Sequence, residues 1–173
     1  VVLIMATNET ILTLGNIAIP VGAARGITQT LQPIDNGDVR RTVNGTLLDL
    51  TRAENRKFES QIRCSDMATP AMAELWKGQT LLIECIQILN QNINPTFTDV
   101  TLIRDPVTNS VFGFEADGTK INPVSVTGRD VIFASDVVNV EFRPILNMMI
   151  LATSVNTDEY AAEEGWSIDL EEV

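Results

Sequence analysis

Apolar and polar residues alternate along three stretches of the chain. In FESQIRCSD, Phe58, Ser60, Ile62 and Cys64 fall on one face and Glu59, Gln61 and Arg63 on the other. A period of two is the mark of a half-buried strand, because successive side chains point to opposite faces of a sheet. VNVEFR repeats the pattern, with Val138, Val140 and Phe142 opposed to Asn139, Glu141 and Arg143. GWSIDLEEV repeats it again, with Trp166, Ile168 and Leu170 inward and Ser167, Asp169 and Glu171 outward. TLLIECIQIL, Thr80 to Leu89, is apolar on both faces except at Glu84 and Gln87, and predicts a central strand.

Two stretches break this period and predict short helices. In TPAMAELWKG, Thr69 suits a cap, Pro70 the first helical position and Gly78 the stop. DEYAAEEG, Asp158 to Gly165, places acidic residues at a helix N-terminus, where the dipole favours them. DVRRTVNGTLLDLT predicts a hairpin, since Asn44-Gly45 suits a two-residue turn with positive φ at both positions. In that register Val43 faces Thr46, Thr42 faces Leu47, Arg41 faces Leu48 and Arg40 faces Asp49. Arg40 then has an opposite charge across the ladder, and Arg41 has no local explanation.

Residues 90–136 differ in character. NQNINPTF, RDPVTN, EADGT and INPV are turn-rich, and three of the seven prolines, Pro95, Pro106 and Pro123, fall here. The expected fold is mainly β: a β-sandwich or barrel-like sheet pair with one or two short helices and an inserted β/loop arm. Residues 1–23 form an N-terminal extension and first strand, with Val1–Ile4 ahead of the fold itself. Residues 24–89 and 137–173 form the core β domain, and 90–136 the arm. Trp166, Ile168, Phe142, Ile83 and Cys85 are the expected core.

Composition narrows the chemistry. The 173 residues are 45% hydrophobic and 20% charged, which is enough apolar material for a packed core. The net charge is −11, against the needs of a nucleic-acid surface. Arg40, Arg41, Arg52, Arg56, Lys57 and Arg63 make up half of the 12 basic residues. Asp158, Glu159, Glu163, Glu164, Asp169, Glu171 and Glu172 follow with no basic residue after Arg143. There is no histidine, so the commonest general base and metal ligand are missing. Cys64 and Cys85 read as buried thiols acting as small hydrophobes, with a disulfide or a metal half-site as the alternative. EADGT reads as a plain turn, because a calcium loop needs staggered oxygen ligands and a closing Glu. The sequence holds neither a Gly-rich phosphate loop nor a Ser nucleophile elbow. No apolar run reaches the length of a membrane span.

Several strings together carry a resemblance. ARGITQTLQPI, RRTVNGTLLDLT, RKFESQIRCSD, LWKGQTLLIEC, FRPILNMMI and TDEYAAEEGWSIDLEEV resemble a family of small structural proteins from the morphogenesis regions of tailed bacteriophages. The resemblance covers roughly residues 23–89 and 140–173, and residues 90–136 depart from it, the family being shorter there. It implies a non-enzymatic virion protein of the tail or tail tip, made in the bacterial host cytoplasm and present in several copies around the tail axis. It implies no catalytic residue, cofactor or metal, and as partners copies of itself and other virion proteins. Nucleic acid, membrane and a small-molecule substrate are not expected. A head decoration or neck protein, or a non-viral β-sandwich binding module, are the alternatives. The charge pattern suggests a subunit interface in which Arg40, Arg41, Arg52, Arg56 and Lys57 of one copy meet Glu163, Glu164, Glu171 and Glu172 of the next. In the rival arrangement the two segments pair within one chain as adjacent strands.

Overall fold

The computed structural model describes residues 10–34, 39–50, 56–159 and 163–173. The extension expected at Val1–Ile4 lies outside them, as does Arg52. The fold is all-β. In chain order the strands are β1 (Thr13–Leu14), β2 (Thr28–Pro33), β3 (Val39–Arg41), β4 (Leu47–Asp49), β5 (Phe58–Asp66), β6 (Thr80–Glu84), β7 (Leu89–Thr101), β8 (Phe112–Phe114), β9 (Lys120–Ile121), β10 (Ser125–Thr127), β11 (Asp130–Phe142), β12 (Ile145–Asp158) and β13 (Glu163–Glu172). They divide between two compact units, Val1–Ala18 with Leu81–Asn147, and Ile19–Thr80 with Met148–Val173.

The first unit is built on the long antiparallel pair β7–β11, with β8 and β10 on the other side of β11 and β9 beside β8. Its core holds Ile93, Val100, Leu102, Phe133, Val137 and Phe142, among others. β8 crosses this core so closely that a Cβ on Gly113 would lie 2.7 Å from both Phe133 and Val137. Only a residue without a side chain fits there. The β7–β11 ladder shifts register twice. Asn139 faces Asn92 and Ile132 faces Asp99 in one register, but Val137 faces Phe97 between them. β11 carries three extra residues on one side of that pair, and β7 carries three on the other. The two bulges cancel, and the ladder resumes its first register. In the same unit β1 pairs with β6, and Arg143 donates to the carbonyls of Cys85 (2.7 Å) and Ile11 (2.6 Å).

The second unit has a sheet in the order β12-β13-β5-β2, antiparallel throughout. Trp166 faces Cys64, Ile168 faces Ile62 and Leu170 faces Ser60 across β13–β5. These residues are buried, as the alternation requires, while their neighbours Glu59, Gln61 and Arg63 are not. A loop before β2 is fastened to this sheet. Trp166 Nε1 donates to the Ala23 carbonyl at 2.8 Å. Asp66 accepts from the Arg25 backbone N–H (2.9 Å), from Arg25 Nη2 (2.8 Å) and from the Met67 N–H (2.9 Å). The Arg25 guanidinium, and then the two backbone donors, hold the Asp66 carboxyl below its ordinary range against an opposing effect of burial.

Several expectations need correction. TPAMAELWKG is not a helix: its bonds are short-range turns, Met72 N–H to Pro70 O and Leu75 N–H to Met72 O. The segment is pinned at both ends, by Met67 and Ala68 N–H to Gly22 O and by Gly78 N–H to Ile150 O. A helix nucleus of this length is costly, and tertiary bonds at each end displace it. DEYAAEEG is not a helix over its described residues, because Asp158 closes β12 and Glu163 opens β13 directly opposite it. Residues 160–162 lie outside the described set. TLLIECIQIL is not one strand, since β6 stops at Glu84 and the chain bends before β7 begins at Leu89. The expected core residues Trp166, Ile168, Phe142, Ile83 and Cys85 are all buried. Phe142, Ile83 and Cys85 fall in the first unit, and Trp166 and Ile168 in the second.

Candidate subunit interface

The hairpin carrying the paired arginines is a separate two-stranded sheet in the second unit. Its register differs by one from the expected one: Val39 faces Asp49, Arg40 faces Leu48 and Arg41 faces Leu47. The loop is therefore three residues long, Val43 to Gly45. Gly45 N–H donates to Thr42 O (2.9 Å), Thr42 N–H donates to Thr46 O (2.8 Å), and only Gly45 has positive φ, at 81°. This is a type I turn closed by a left-handed glycine, the three-residue solution for the same Asn-Gly signal. The shift takes Arg40 away from Asp49 in the ladder. It also gives Arg41 a local partner, since its Nη1 donates to the Gly45 carbonyl at 3.1 Å.

Every residue of β3 and β4 is exposed. Val39, Val43, Leu47, Leu48 and Leu50 all present large apolar side chains to solvent. A two-stranded ribbon with neither face covered is marginal in water. Exposed apolar side chains clustered in this way are a feature that interaction surfaces commonly share.

The remaining candidate residues lie along β5 and β13. Lys57 Nζ donates to the Val173 carbonyl at 2.6 Å, and Phe58 N–H donates to Glu172 Oε2 at 3.0 Å. Glu171 stands opposite Glu59. At the far end of the ladder Glu164 stands between Thr157 and Asp66, and Glu163 opposite Asp158. Lys57 thus meets the end of the acidic segment within one chain, the arrangement of adjacent strands. Arg40 and Arg41 take no part in that ladder, Arg56 precedes β5, and Arg52 lies outside the described residues.

Two features of this unit had no signal in the sequence as an interaction site. From residue 152 to residue 158, β12 is exposed on both faces. β13 covers one of its edges. On the other, Ile150 bonds to Gly78 and Gln79, and residues 152–157 have no backbone partner among the described residues. Beside that edge lies a groove of about 510 Å³ lined by residues 69–74 and Val155. Trp76, two residues before Gly78, is 70% exposed. On the outer face of the sheet a polar hollow of about 300 Å³ is lined by Thr30, Gln32, Glu59, Gln61 and Asp169, among others. Gln61 Nε2 donates to Asp169 Oδ1 (2.6 Å) and Gln32 Nε2 donates to Glu59, so these groups already pair across the strands.

EADGT forms a turn between β8 and β9. Asp117 accepts from the Thr119 N–H (2.8 Å) and hydroxyl (2.9 Å), which lowers its pKa. Cys64 and Cys85 are both buried thiols, Cys64 in the second unit and Cys85 in the first. No protein-family profile, curated protein or solved structure matches this chain.

Proposed function

We propose that this protein is a non-enzymatic structural subunit of a tailed-bacteriophage virion, present in several copies in the tail or tail tip. The observation that carries the need for a partner is the β3–β4 hairpin, exposed on both faces and bearing five large apolar side chains. A subunit built to be covered by its neighbours has a use for such a ribbon, and an isolated monomer has none. The bacteriophage setting rests on the resemblance of the six quoted strings, three of which, RRTVNGTLLDLT, RKFESQIRCSD and TDEYAAEEGWSIDLEEV, bear candidate interface residues. A His-free chain is consistent with a role that needs no general base.

The test is immunogold electron microscopy of virions from the source, with an antibody that recognises the native protein. Label on the tail or its tip is the expected result. Label over the capsid moves the subunit to head decoration, label at the head–tail junction moves it to the neck, and absence of label removes it from the virion surface. Trp76 favours a second reading, a monomeric binding module, because an exposed tryptophan is the anchor such a module needs. That reading requires a chain that remains monomeric at high concentration in analytical ultracentrifugation.

A further inference from the structure

The second unit holds two incomplete β-structures. One is the hairpin β3–β4, a two-stranded ribbon whose strand residues are all exposed. The other is the edge of β12 over residues 152–157, a row of backbone groups with no partner on that side among the described residues. Natural sheets blunt such edges with prolines, lysines or bulges, because an open edge recruits another strand. β2, an edge strand of the same sheet, ends in Pro33 and is blunted in this way. Residues 152–157, ATSVNT, contain neither proline nor charge, and the one register shift of the β12–β13 ladder, between Ile150 and Ala152, lies at their start.

The two structures also match in charge. Residues 39–50 carry Arg40 and Arg41 against Asp49, a net positive ribbon. Asp158 and Glu159 follow the open edge, and Glu163 and Glu164 open β13 beside it, so four carboxylates form an acidic cap at its end. The apolar parts match as well, with Leu47 and Leu48 exposed on the ribbon and a groove beside the edge at Val155, Pro70 and Met72.

We propose that the β3–β4 hairpin of one copy adds to the open edge of β12 in a second copy, extending that copy's sheet. Main-chain bonds along residues 152–157 supply the attachment, and the groove receives alternate side chains of the ribbon. Arg40 and Arg41 set the register against the acidic cap. The contact is heterologous, since donor and acceptor are different surfaces of one chain, so it repeats from copy to copy and closes into a ring where the rotation allows. This rests on the subunit reading above and names the surface through which the subunits join.

The experiment is sedimentation of the full chain and four variants, each checked for native circular dichroism. R40E/R41E places negative charge against the acidic cap, E163K/E164K reverses the cap, and the two are then combined in one chain. V155K, the fourth, puts a charge on an edge side chain that is already 52% exposed. The wild type associates, and V155K and each charge reversal alone weaken association about tenfold or more. The combined reversal restores it, which a general loss of surface quality does not do. Hydrogen exchange of residues 152–157 slows in the assembled wild type and stays fast in V155K. A wild-type chain that never associates overturns both the subunit reading and this contact. A wild type that associates, with V155K equally tight and residues 152–157 still exchanging fast, overturns this contact alone and leaves the subunit reading standing.

Discussion

Single residues decide how each unit packs. Gly113 sits where a methyl group would collide with Phe133 and Val137. Gly113→Ala is expected to cost about 1–3 kcal/mol through overpacking, seen as a lower midpoint in urea unfolding with an unchanged slope. Trp166 fastens the loop before β2 through its indole N–H. Trp166→Phe leaves the buried Ala23 carbonyl without that donor, and a loss of about 1–3 kcal/mol is expected in the same measurement. Asp66 makes stability depend on acid. Its pKa is lowered by the Arg25 guanidinium, so its contribution is complete above the ordinary carboxylate value, about 3.9, and disappears as pH falls through the folded value. The melting temperature of the wild type should therefore exceed that of Asp66→Asn at pH 7, and the gap should narrow by pH 3. A gap that is constant across this range would mean that Asp66 acts through shape and not through charge.

Elements show what the sequence makes legible. β5 and β13 could be read residue by residue, because one face of each is buried and the alternation is uninterrupted. The hairpin was legible as a hairpin and not in its register. Asn-Gly serves both a two-residue turn and a three-residue turn ending in a left-handed glycine, and one residue separates them. Gly45→Ala tests the observed form: at φ 81° an alanine is strained by about 1 kcal/mol or more. Every residue of β3 and β4 is exposed, so the NMR cross-strand contacts of Arg40 with Leu48 should weaken while the global melting temperature barely moves. The helix expected over TPAMAELWKG failed because its apparent stop, Gly78, bonds to Ile150, and the one over DEYAAEEG because Asp158 and Glu163 pair as ends of adjacent strands. The charge blocks were legible as composition, but which charges share a ladder depends on β5 meeting β13 across the chain. The open edge of β12 was not legible at all, since exposure of an edge is a property of topology and ATSVNT carries no periodic signal. The paired bulges of β7 and β11 add a constraint of their own. Removing three residues from one of them alone displaces half of the ladder by an odd number, exchanging its buried and exposed faces.

At the scale of the whole molecule, the order in which the chain visits its two units matters. The second unit begins at Ile19, is interrupted after Thr80, and resumes only at Met148. Its sheet joins Ile62 to Ile168, roughly a hundred residues apart, whereas β7 meets β11 after a much shorter excursion. Pairings of long sequence separation form late because loop closure must come first. Pulse-labelled hydrogen exchange during refolding should find the β7–β11 amides protected before those of β5 and β13, and simultaneous protection would show that the units fold as one. β13, the last strand described, is also the one that lies between β12 and β5. While the chain is being synthesised, β2 and β5 are complete long before their central neighbour leaves the ribosome. During that interval β5 offers an apolar, unpaired margin to any other nascent copy. Copies synthesised side by side are then exposed to mispairing for as long as residues 67–162 take to be translated. That delay makes expression speed and temperature, and not native stability alone, the conditions that decide how much of this chain reaches its folded form.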